Sequence, residues 1–200
     1  NLIISKSGNT LETIANANTL IKSKENNIIV TENKDSYLTN LAGQLKAEIF
    51  EHKNYVGGRY SVLSEVGMLP AELMNLNENK FKQFNSLIKN KAFINNLINN
   101  VSATLNLIKN GKYTSIILNY DDQSEHLFKW YQQLIAESLG KKSKGILPIV
   151  SSMPKDNHSL MQLYLDGPKK SFYTFFNALD NTVIKMNNNN ILSSHRYLRN

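Results

Sequence analysis

The 200-residue sequence contains no cysteine, so disulfides and thiol chemistry are excluded, and the absence suits a reducing compartment. It has no apolar run approaching the ~20 residues that a membrane-spanning helix needs. No signal peptide opens the chain. Histidines and carboxylates nowhere stand at metal-ligand spacing, which argues against a metal centre. A concentrated basic face is also missing. The net charge of +7 permits attraction of phosphorylated ligands. Its densest group, however, Lys141-Lys142-Ser143-Lys144, sits in a short polar stretch with no interleaved aromatics. Nucleic acid and membrane are therefore set aside as partners. What the chain does have, 41% hydrophobic and 20% charged residues, describes a globular protein with enough length for a sizeable core.

Hydrophobic periodicity reads as alternating strands and helices. Leu2-Ile3-Ile4 is a short buried strand, followed by a polar turn and a helix from about Leu11 to Lys22. Ile28-Ile29-Val30 is a second strand. A short helix near Tyr37 to Gln44 precedes a third strand around Ala47 to Phe50. Helical patterning then runs through Met74. Asn75-Leu76-Asn77-Glu78-Asn79 reads as the boundary between domains 1–75 and 76–200. One long amphipathic helix is expected from Phe81 to Ile108, ended by Gly111. Beyond it come a strand at Ile116-Ile117-Leu118, a helix from Ser124 to Leu139 closed by Gly140, and a strand from Ile146 to Val150. A helix from Ser159 to Leu165 and a strand from Phe172 to Phe176 complete the pattern. Such alternation implies an α/β fold of parallel sheets covered by helices. The Asn187–Asn190 run is low-complexity and carries no function here.

Four places carry chemistry. In Val56-Gly57-Gly58-Arg59-Tyr60-Ser61, consecutive glycines suit a sharp bend or a close approach, and the arginine after them presents a fixed cation to an anion or a developing negative charge. The bland alternative is a glycine turn with a structural arginine. In Ser5-Lys6-Ser7-Gly8-Asn9-Thr10, hydroxyls, a glycine and helix N-terminal amides converge just after a strand, the physical recipe for a phosphate site. Asn9 with Glu12 equally resembles a capping box that needs no ligand. In the helix containing His126, Glu137 shares a stripe with Trp130 and Leu134 at spacings of four and three, so partial burial would raise its pKa toward that of a general base. The competing reading is a glutamate in a helix-ending turn. His158, in the loop Lys155-Asp156-Asn157-His158-Ser159, is placed to act as an acid or base, or is simply solvated. His52, His126 and His195 have less context and receive no role.

Taken in order, Ser5 to Thr13, Val56 to Ser64, Ala136-Glu137-Ser138-Leu139-Gly140-Lys141 and Asp156 to Pro168 resemble four motifs of the glucose-6-phosphate isomerase family in its shorter bacterial forms. The resemblance implies two sugar-isomerase (SIS) domains, each a three-layer αβα arrangement around a parallel sheet. It implies reversible aldose–ketose isomerisation of glucose 6-phosphate and fructose 6-phosphate in the cytoplasm, with no cofactor. Carried over by motif, Ser5, Ser7 and Thr10 would hold the substrate phosphate, with Lys6, Glu12, Gly57 and Gly58 lining the site. Arg59 would steady the enediolate, Glu137 would shuttle the proton between C1 and C2, and His158 would assist ring opening. In this family the histidine serves the partner's active site, so a homodimer is implied. The alternatives are a non-catalytic SIS module that senses sugar phosphates, and an SIS isomerase for another phosphosugar.

The chain also departs from the family. It opens directly on the apolar run at Leu2, without the family's first strands and glycine-serine loop. Its C-terminal part lacks the segment that supplies a glutamine and a catalytic lysine, and Lys185 lies in an unrelated asparagine-rich context. The expectation is an internal piece of a longer isomerase, with both domains incomplete and little activity by itself.

Overall fold

The computed structural model describes residues 1–22 and 26–179; Lys185, Asn187–Asn190 and His195 lie outside them. The chain falls into two compact units, Asn1–Ala103 and Thr104–Asn200. Among the described residues no helix is long and apolar enough to cross a membrane.

The first unit is built on β1 (Leu2–Ile4), β2 (Ile28–Thr31) and β3 (Glu48–Glu51), all parallel, with helices α1 (Leu11–Leu20) and α2 (Tyr37–Leu45) as the crossovers. β2 is central, and its Ile29, Val30 and Thr31 are fully buried. On one face Ile3 and Ile29 pack with Ala17 of α1 and with Leu38 and Ala42 of α2. Full burial of a residue such as Leu38 is worth about 1.5–3 kcal/mol. α2 begins in a true capping box: Ser36 Oγ accepts from the Thr39 amide, and Thr39 Oγ1 accepts from the Ser36 amide. After β3 come a 3-10 turn at Gly58–Tyr60 and α3 (Glu65–Leu73).

The long helix expected from Phe81 is broken. Its span holds α4 (Glu78–Lys82), a 3-10 stretch (Gln83–Lys89) and α5 (Lys91–Lys109). The break is at Asn90, whose backbone is extended and whose Oδ1 accepts from the Phe93 amide at 3.1 Å. A side chain that satisfies a first-turn amide starts a new helix where apolar spacing alone would continue the old one.

The second unit repeats the architecture with β4 (Thr114–Asn119) at the centre, β5 (Leu147–Ser152) on one side and β6 (Ser171–Phe176) on the other, all parallel. α6 (Glu125–Leu139) connects β4 to β5; α7 (Lys155–Ser159) and α8 (Met161–Asp166) connect β5 to β6. The continuous run Ser115 to Asn119 is buried, as a strand flanked on both sides and covered on both faces must be. Ile116, Leu118 and Met153 form the core with Ile149 and with Met161 and Tyr164 of α8. α6 packs through Phe128, edge-on to Phe176 at 4.8 Å, and through Gln132 Nε2, which donates to the Pro148 carbonyl at 3.1 Å. The residues around His158, expected as a loop, form α7. The fold is thus α/β, with two three-stranded parallel sheets flanked by helices.

Candidate active site

In the first unit the chain leaves β1 as a tight loop at the carboxyl ends of the strands, where open parallel sheets place their ligands. The hydroxyls of Ser5, Ser7 and Thr10 meet there: Thr10 Oγ1 lies 2.7 Å from Ser5 Oγ and 3.4 Å from Ser7 Oγ. Thr10 is the N-cap residue of α1, yet its side chain caps no amide of that helix. The expected capping box between Asn9 and Glu12 does not form. Asn9 Oδ1 instead accepts from the Tyr37 amide at 2.9 Å, so it caps α2, and Glu12 is exposed in the first turn of α1. Gly8 turns the loop with φ +68°, and its carbonyl accepts from the Leu38 amide at 3.0 Å. The loop is therefore pinned onto the start of α2, with its hydroxyls gathered at the start of α1.

Lys6 fixes the next piece. Its Nζ donates to the carbonyls of Asn54 at 2.9 Å and Val56 at 2.6 Å, and stands 3.4 Å from Glu32 Oε1. Composition gives no hint of this role, because the partners lie about fifty positions along the chain and only the fold brings them near. Lys6 straps the hydroxyl loop to the loop carrying Gly57, Gly58 and Arg59. The hydrogen bond from Lys34 holds the Glu32 carboxyl below its ordinary pKa against partial burial, and Lys6 adds to the effect.

The two glycines before Arg59 differ from expectation. Neither has a left-handed backbone; Gly57 is extended at φ -65° and ψ 143°. A Cβ on Gly57 would meet the Tyr60 ring at 3.1 Å, and one on Gly58 would meet nothing within 4 Å. The bend therefore does not demand Gly58, and the space above it stays open. Local bonds shape the turn through Ser61: the Tyr60 amide donates to Gly57 at 2.9 Å, and the buried Ser61 Oγ donates to the Gly58 carbonyl at 2.7 Å. Arg59 is half-buried, its guanidinium 5.9 Å from the Tyr60 ring centroid, within cation–π range.

In the second unit Glu137 lies in the last turn of α6 and is exposed. The stripe of Trp130, Leu134 and Glu137 is real, but it faces away from the sheet. At 100° per residue, Phe128, Gln132 and Ile135 form the packed face and Glu137 projects on the opposite side. The carboxylate is therefore exposed where partial burial was expected. Gln133, one turn earlier, donates from Nε2 to Glu137 Oε1 at 3.0 Å. That residue was missed, although a spacing of four on a helix was a usable signal.

His158 is exposed in the last turn of α7. The turn is set by Asp156: its Oδ2 accepts from the buried Ser151 hydroxyl and the Ser152 amide, each at 2.8 Å, and its Oδ1 accepts from Ser159 Oγ at 3.2 Å. Tyr164 OH adds a bond to Ser151 Oγ at 3.1 Å. The Ser151 hydrogen bond, against some burial, holds the Asp156 carboxyl below its ordinary pKa, with Ser152 and Ser159 assisting. The structure thus brings Ser5, Ser7, Thr10, Lys6 and the Arg59 loop together within the first unit, while Glu137 and His158 belong to the second.

Comparison with known proteins supplies an independent line. The sequence model of the phosphoglucose isomerase family matches residues 1–153, a span that includes Ser5 to Thr10, Arg59 and Glu137. The glucose-6-phosphate isomerase of Methanocaldococcus jannaschii is 38% identical over 193 residues, covering 88% of this chain and 46% of that protein. That of Mycoplasma mycoides is 31% identical over 200 residues, covering 92% and 45%, and that of Campylobacter jejuni 32% over 203 residues, covering 90% and 47%. The chain spans just under half the length of these curated relatives. A crystal structure of a hypothetical protein from Thermus thermophilus superposes with a TM-score of 0.73 at 25% identity, covering 87% of this chain and 46% of that one.

Proposed function

The chain belongs to the phosphoglucose isomerase family, and from that premise we propose that it carries catalytic groups for the reversible aldose–ketose isomerisation of glucose 6-phosphate and fructose 6-phosphate. One observation carries the reading. A hydroxyl cluster at the start of α1, which can anchor a phosphate, is strapped by Lys6 to the loop that presents Arg59. An inert end held on one loop and a cation on the adjoining loop is what an enediolate-forming site needs.

In this mechanism Ser5, Ser7 and Thr10 donate hydrogen bonds to the phosphate. The Glu137 carboxylate removes the proton from C2 of the open-chain aldose, the electron pair moves into a C1–C2 double bond, and the carbonyl oxygen becomes the enediolate oxygen. Arg59 stabilises that charge. Glu137 then returns the proton to C1, giving the ketose, and the hydroxyl proton moves between the two oxygens. Gln133 orients Glu137, and His158 assists opening of the sugar ring. Lys6 acts by holding the two loops together, since its ammonium already serves two carbonyls and Glu32. His158 reaches the active site of a second copy in a homodimer, and the enzyme works in the cytoplasm in glycolysis and gluconeogenesis.

The experiment is a coupled assay of fructose 6-phosphate conversion by the full-length polypeptide. Glu137→Gln keeps shape and removes the base, so kcat falls by at least about a thousandfold while KM changes little. Arg59→Lys also loses turnover, because an ammonium cannot reproduce the planar fork. Isomerisation at the parent rate by Glu137→Gln would refute the assignment.

A further inference from the structure

The loop that presents Arg59 leaves β3 at His52 and rejoins regular structure at Glu65, the first residue of α3. Its internal hydrogen bonds are local: the Val56 amide donates to Lys53 O, Tyr60 to Gly57 O, Ser61 to Gly58 O and Ser64 to Ser61 O. Bonds of that reach shape each turn but leave the separation of the two limbs unset. Two longer contacts help to set it. One is the Lys6 strap on Asn54 and Val56. The other joins His52 Nδ1 to the Glu65 carboxylate, 13 residues further on.

The second contact is unusual in its burial. His52 is 1% exposed, its amide donates to Thr31 O at 2.8 Å, and its Nε2 meets no hydrogen-bond partner among the described residues. A buried imidazole with one unsatisfied nitrogen is a poor way to fill a core, and an apolar side chain of similar volume would do so without that cost. Packing therefore does not account for His52, but its contact with Glu65 does. Burial pushes the Glu65 carboxyl upward in pKa, while the His52 imidazole and the backbone amides of Glu65 and Lys53 outweigh it and hold it below its ordinary value. The carboxylate is thus gripped from both limbs. The nearby charges are a Lys53–Glu51 pair at 2.7 Å, itself exposed.

We propose that His52 and Glu65 are positioning residues for catalysis: their contact clasps the base of the loop and fixes where Arg59 presents its guanidinium. The inference rests on the reading of Arg59 as the cation facing the enediolate. It adds a requirement which that reading does not contain, because neither His52 nor Glu65 belongs to the hydroxyl cluster or to the base. The clasp acts on the loop that carries the cation and makes no contact with the hydroxyls of the phosphate anchor, so its loss should separate turnover from substrate affinity. The phosphate anchor stands on a different loop, pinned to α2 by Gly8 and Asn9.

The test uses the full-length polypeptide and fructose 6-phosphate, with Glu65→Ala, Glu65→Gln and Arg59→Lys compared with the parent. The expected result is that Glu65→Ala lowers kcat by about ten- to a hundredfold, the scale of a small misplacement of a catalytic group, with KM within about threefold of the parent. Glu65→Gln, which keeps an acceptor for His52, should recover most of that loss. Amide hydrogen exchange should quicken across residues 53–61 in Glu65→Ala and stay unchanged across residues 5–10, a pattern that a general loss of structure would not give. If Glu65→Ala does not fold, Glu65→Asp takes its place: it keeps the charge but shortens the reach, and is expected to lower kcat severalfold at constant KM. A parent-like kcat in these variants beside an impaired Arg59→Lys overturns the clasp and leaves the isomerase reading standing. Full turnover by Arg59→Lys overturns the assignment of Arg59 as the cation and the clasp with it, and is recognised because the reference variant itself is unimpaired, whereas a parent polypeptide without turnover overturns the isomerase reading.

Discussion

Substituting alanine for Gly8 tests whether these contacts hold the hydroxyl loop. Gly8 sits at φ +68°, where a Cβ costs about 1–2 kcal/mol through contact with its own backbone. The new methyl group would also lie 2.1 Å from Ser36 Oγ, 2.6 Å from Ser36 Cβ and 3.0 Å from Thr31 Oγ1. Thr31 is fully buried in β2 and cannot yield, so Ser36 must move. Ser36 is the N-cap of α2 and half of its capping box, and losing such a cap costs about 0.5–2 kcal/mol. The sum is about 1.5–4 kcal/mol, enough to lower the melting temperature of a unit this size by about 6 °C or more. Gly43, seven positions after Ser36 in the same helix, is the control. A Cβ there meets nothing within 4 Å, so Gly43→Ala should raise stability by about 0.5–1 kcal/mol. Urea unfolding of the two variants and the parent, followed by far-ultraviolet circular dichroism, reads both effects. Opposite signs are expected. If Gly8→Ala unfolds at the parent's midpoint, or if both substitutions shift stability in the same direction, the loop is not pinned to α2 through Gly8.

Two further outcomes rest on single contacts. Lys6→Met removes the strap to Asn54 and Val56; stability should change by less than about 1 kcal/mol because the ammonium is partly exposed, while, under the proposed isomerase function, kcat of the full-length polypeptide on fructose 6-phosphate falls about tenfold or more as the Arg59 loop drifts from the hydroxyls. Asp156, whose folded-state pKa is depressed, stabilises its turn fully above its unfolded pKa and loses that contribution as pH falls through the lower folded value. The stability difference between the parent and Asp156→Asn, measured by urea unfolding, should therefore be constant near neutrality and shrink below about pH 4.

The sequence by itself determined whatever depends on near neighbours along the chain. Apolar runs such as Ile28-Ile29-Val30 and Ile116-Ile117-Leu118 became central parallel strands, because burial on both faces tolerates little else. Gly140 ended α6, and the order of the four motifs was sufficient to place the chain in its family. Tertiary structure decided what depends on choosing between partners. Asn9 could cap its own helix or the start of α2, and the Tyr37 amide won once the loop lay across α2. Asn90 broke a helix that apolar spacing alone would have continued. Trp130, Leu134 and Glu137 do share a stripe, but which side of α6 meets the sheet was settled by Phe128 against Phe176, and that left Glu137 outside. Lys6 reached carbonyls at positions 54 and 56, and His52 reached Glu65, only after β1, β2 and β3 had aligned in parallel. A period or a cap is an interaction within about four residues and can be read from the chain, whereas competition among distant donors and acceptors is resolved only when the sheet brings one of them within hydrogen-bonding distance.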